Sequence, residues 1–156
     1  MVVAPNIGLL HQEVEQLVAT SAQIPYHHYH PPTLLTNMGR RMPERGNGWV
    51  TFAPDASVEA AADQVSQPIE EHGLPWMRAH ASLAAIAALD GDKRYGTRLD
   101  TWRRAVTSYL LGHPELTRQQ LHDAISQMER DGLPQTSLET YRRFAAALEQ
   151  QTQRTP

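Results

Sequence analysis

Three histidines, His27, His28 and His30, fall within the run Tyr26-His27-His28-Tyr29-His30-Pro31-Pro32. Neutral imidazole is a common metal ligand, so this spacing raises metal chemistry first. In an extended segment, successive side chains point to opposite faces. His28 and His30 would then share a face with Tyr26, and His27 would lie opposite with Tyr29. Two imidazoles on one face need a third ligand, and His11, His72 or a carboxylate are the candidates. Such a centre would suit a metal-dependent hydrolase. No His-Glu-x-x-His arrangement accompanies the cluster, and Pro31-Pro32 imposes a polyproline-like backbone after it. A polar, exposed segment is the plainer reading. No cofactor and no metal are therefore expected, with His28 and His30 as the alternative metal ligands.

Other catalytic patterns have less support. No serine lies in a Gly-x-Ser-x-Gly context. Glu70 and Glu71 are adjacent, so they point to different helix faces. Gly46-Asn47-Gly48 precedes a strand-like run and not a helix, which fits a turn and not a phosphate loop. Arg40, Arg41 and Arg45 make a small basic loop that could meet an anion or simply aid solubility. Arg103-Arg104 and Arg142-Arg143 read as solvated helix faces. Trp76 reads as a core anchor, with ligand stacking as the alternative.

The chain that must position these groups has 156 residues, enough for one domain with a useful core. It is 40% hydrophobic and 20% charged, which excludes wholesale disorder. Its formal net charge of −3 argues against a nucleic-acid partner. With no cysteine, disulfides, thiolate catalysis and cysteine-based zinc sites are excluded. Met1 to Pro5 has no basic region or apolar core of a signal peptide. The longest apolar run, Leu83 to Leu89, is too short to span a membrane. A soluble, cytoplasmic protein is expected.

The hydrophobic pattern predicts an α+β fold: a small antiparallel sheet with an N-terminal helix, followed by a helical C-terminal half. Val2 to Ala4 reads as a short strand. Asn6 caps a helix to about Ser21, with Ile7, Leu10, Val14, Leu17 and Val18 inward and Glu13, Glu15 and Gln16 in water. Thr33 to Met38 and Trp49 to Ala53 read as strands that pair as a long-looped hairpin. Asp55 or Ser57 caps the next helix, whose inner face carries Val58, Ala61, Ala62, Val65, Ile69 and His72. Pro68 should kink it.

The chain is organised around Ile69-Glu70-Glu71-His72-Gly73-Leu74-Pro75-Trp76. Gly73 reads as the left-handed residue that ends a helix, with Pro75 opening the next. Gly-Leu-Pro recurs at 132–134, as the same stop chemistry used twice. Further helices are expected to about Leu89 (in one piece or two rejoined at Ser82), over Thr97 to Leu111, from a capping box at Thr117, and from Thr136 with Leu138, Tyr141, Phe144, Ala145 and Leu148 buried. Residues 1–150 form one domain and 151–156 a frayed tail.

From Thr33 to about Leu89 the order of features resembles a group of uncharacterised bacterial proteins, the domain of unknown function 4304 group. In that group a short strand is followed by Gly and Pro, a Trp-led strand, an amphipathic helix and a Leu-Pro-Trp or Leu-Pro-Phe turn. The matching residues are Gly39, Pro43, Trp49, Leu74, Pro75 and Trp76. The resemblance implies a fold and carries no established catalytic residues.

These readings point to a non-enzymatic interaction or regulatory protein, toxin neutralisation being one such role. Short strands leave edges that can pair with another chain. A protein partner or a homodimer, through an edge strand or a helix face, is expected, with no nucleic acid and no membrane. The alternative is the metal-dependent hydrolase built on His27 to His30.

Overall fold

The computed structural model describes residues 2–3, 6–26, 32–38, 50–53, 55–89 and 100–152. Its fold is α+β, with short antiparallel ladders near the N-terminus and a mostly helical C-terminal half. The first strands are β1 (Val2–Val3) and β2 (Asn6–Leu9). Each pairs with a later strand: β2 with β3 (Leu34–Asn37), and β1 with β4 (Val50–Thr51). The expected hairpin between the second pair of strands is therefore not formed. The N-terminal segment supplies a partner to each of them.

Asn6 is likewise a strand residue and not a helix cap. The period of two decides it. Ile7 and Leu9 face Thr36 and Leu34 on the inner side, whereas Asn6 and Gly8 face Asn37 and the exposed Leu35 on the outer side. Ile7, Leu10 and Val14 also match helical spacing, so this short run reads equally well either way.

Helix α1 (Gln12–Ala22) is the fourth member of a bundle with the three C-terminal helices. These are α5 (Thr101–Leu110), α6 (Pro114–Arg130) and α7 (Gln135–Thr152). α1 packs on α5 and α7, and α6 packs on the same two. Val14, Val106, Leu121, Tyr141, Phe144 and Leu148 fill the middle. A second cluster, with Ile7, Leu34, Met38, Trp76, Ile86 and Leu89, joins β2 and β3 to the short helices α3 (Leu74–Ala79) and α4 (Leu83–Leu89). Trp76 is a core residue, as its type suggests. Ser82 caps α4 by accepting from the Ala85 N–H at 3.2 Å.

The central turn is not a stop. Helix α2 (Val58–Pro68) continues through a π-helical turn, Ile69–Gly73, directly into α3. Pro68 offers no N–H to the carbonyl of residue 64, and Pro75 none to that of residue 71. Between these two missing donors the chain takes the wider bond, from the Leu74 N–H to the Ile69 carbonyl. Gly73 is right-handed, with φ −70°. A Cβ there would lie 3.4 Å from Ile7 Cδ1 and from Met38 Sδ, an ordinary contact distance. Gly132, in the same tripeptide, is left-handed at φ +65°. There the Leu133 N–H reaches Met128 O and the Gly132 N–H reaches Glu129 O, which together form a Schellman stop.

One tripeptide thus does two jobs, and Pro68, which has no counterpart before Gly132, goes with the first of them. Gly73→Ala fits at ordinary contact distance and raises stability by about 0.5 kcal/mol. Gly132→Ala forces a left-handed alanine and costs about 1 kcal/mol. Urea midpoints of the two variants will shift in opposite directions.

Three further helix starts differ from expectation. α6 begins at Pro114, so Thr117 is interior, fully buried, and donates its hydroxyl to His113 O at 3.0 Å. α5 is capped by Asp100, whose Oδ1 accepts from the Arg103 N–H at 2.8 Å. α7 already begins at Gln135 and runs to Thr152.

Tyr141, 1% exposed, donates its hydroxyl to the Thr101 carbonyl at 3.4 Å. Burial pushes its pKa up to about 12. The unfolded chain ionises near pH 10. The neutral phenol therefore contributes stability that is complete below pH 10 and is lost as pH rises from there to about 12. Tyr141→Phe should flatten this part of the stability profile.

Candidate interaction surface

Ser57 starts α2 correctly: its Oγ accepts from the Ala60 N–H at 3.2 Å. The helix is amphipathic, with Val58, Ala61, Ala62 and Val65 along one side, followed by Ile69. The sequence reads this side as buried; the structure half-buries Ala61, Val65 and Ile69 and leaves Val58 and Ala62 exposed. Val58 is 81% exposed, and within α2 only Pro68 is buried. Among the described elements, the only substantial packing partner of α2 is the π turn that follows it. The π turn and Pro68 fasten one end of α2 to the second core cluster. Among the described residues, Val58 and Ala62 form the part of this apolar side that stays exposed, the feature of an interaction site.

A second unexpected arrangement is buried. Glu15 and Arg103, both read as facing water, meet across the bundle. Arg103 Nε donates to Glu15 Oε1 and Nη2 to Oε2, each at 2.7 Å, in a bidentate pair. Thr33 Oγ1 adds a hydrogen bond to Oε1 at 2.6 Å and itself accepts from the His11 N–H at 2.9 Å. Arg103 also contacts the Asp100 carboxylate. Glu15 is 2% exposed and the Arg103 side chain 17%. Burial alone would favour the neutral guanidine, but the hydrogen bonds and charges of Glu15 and Asp100 outweigh it and raise the Arg103 pKa.

With its carboxylate engaged by three donors, Glu15 is a structural tie between α1, α5 and the start of β3. It is not a free base. A cleft of about 350 Å³ lies beside this tie, lined by Val18, Ala19, Ile24 and Trp102 as well as the ion pair. The sequence held one signal for it: Glu15, Ala19 and Ala22 share a stripe at i, i+4, i+7 beside Val14 and Val18. Ala19 is buried, which marks that stripe as a packed face.

His27, His28 and His30, like Arg40, Arg41 and Arg45, lie outside the described residues. So do Gly39, Pro43 and Trp49 of the family resemblance, whereas Leu74, Pro75 and Trp76 are seen at the start of α3. His11 immediately precedes α1, and His72 sits in the π turn with its Nε2 4.0 Å from Glu71. Among the described residues, no three His, Asp or Glu side chains are placed to hold a metal ion. Glu70 and Glu71 are exposed, as are Arg142, which pairs with Glu129, and Arg143. Among the described residues, no helix is long and apolar enough to cross a membrane. No protein family, curated protein or solved structure matches the chain.

Proposed function

We propose that the chain is a non-enzymatic interaction protein that engages a protein partner through the apolar side of α2, and that it regulates or neutralises that partner by covering the segment it binds. The observation that carries this reading is the 81% exposure of Val58 at the head of the apolar side of α2, with Ala62 exposed beside it. A helix face is favoured over a strand edge. β1 and β4 have two residues each, β2 and β3 four, and such short edges pair poorly with other chains. Helix-in-groove recognition uses the i, i+3, i+4, i+7 spacing that Val58, Ala61, Ala62 and Val65 provide.

The test is site-specific photo-crosslinking in the cells of origin, with the photoreactive residue at position 58 or 65, and at the exposed position 143 as control. Protein adducts at 58 and 65 but not at 143 are expected. Adducts at 143 alone, or at none of the three positions, would contradict the reading.

A further inference from the structure

We draw no further inference here: the strongest candidate, the cleft of about 330 Å³ between α5, α6 and α7 lined by Trp102, Met128, Leu133 and Tyr141 with the hydroxyl-bearing Ser137 and Thr140, is an apolar hollow open to solvent at Leu133, and nothing in the structure shows what covers it.

Discussion

Arg103→Ala should destabilise the protein by about 3 kcal/mol, seen as a lower urea midpoint with an unchanged slope. Removing one member of a buried pair leaves the other charged and unpaired, which costs about 3–5 kcal/mol. The lower end applies because Arg103 keeps 17% exposure. Glu15 is 2% exposed beside Arg103, and of its three donors the variant keeps only the Thr33 hydroxyl.

The pair can be tested separately from its parts. Glu15→Leu/Arg103→Met replaces both charges by apolar groups of similar reach. Such replacements are often neutral or stabilising, because the desolvation cost disappears with the charges. The double variant should lie within about 1 kcal/mol of the wild type. Should it fall as far as Arg103→Ala, the hydrogen bonds of Arg103 to Asp100 and of Thr33 to Glu15 would be holding the bundle, and the ion pair itself would contribute little.

Phe144→Ala is expected to cost about 3–5 kcal/mol, the range for deleting a buried phenylalanine ring. Phe144 is 0% exposed and stacks on Trp102 with ring centroids 4.6 Å apart, and the Tyr141 ring lies 5.6 Å from it. The Trp102 and Tyr141 rings are themselves edge to face at 5.7 Å. This triad joins α5 to α7, and the surrounding backbone is helical, so the site has little freedom to collapse into the void. In a chain of this length the loss corresponds to a melting temperature lower by roughly 10 °C or more. A loss below about 1 kcal/mol in thermal unfolding would show that the bundle repacks around the cavity.

The helical half was legible because its signals are long and periodic. Leu138, Tyr141, Phe144, Ala145 and Leu148 all occupy the core, as their 3.6-residue rhythm requires. Gly112 and Gly132, in the left-handed region, end helices at the places their sequences mark.

What the sequence hid was mostly tertiary. The shared Gly-Leu-Pro does not distinguish Gly73 from Gly132; Pro68, five residues before Gly73, has only Gln127 at the matching place before Gly132. Nothing in Trp49 to Ala53 says that β4 pairs with Val2–Val3. The apolar side of α2 was read as an inner face, and it is half-buried at Ala61, Val65 and Ile69 but exposed at Val58 and Ala62, because periodicity reports a face and not how fully it is covered. Glu15 and Arg103 are 88 residues apart in sequence, so their pairing had no short-range trace. Only the alanines beside Glu15 hinted at its burial.

The most direct measurement on the α2 seam is amide hydrogen exchange of the free chain, comparing α2 with α7. An open α2 has few buried contacts to hold it and should exchange on the order of 100-fold faster than the amides of Tyr141 to Leu148. Exchange in α2 as slow as in α7 would mean that the seam is covered in the free chain, and it would contradict a helix kept open for a partner.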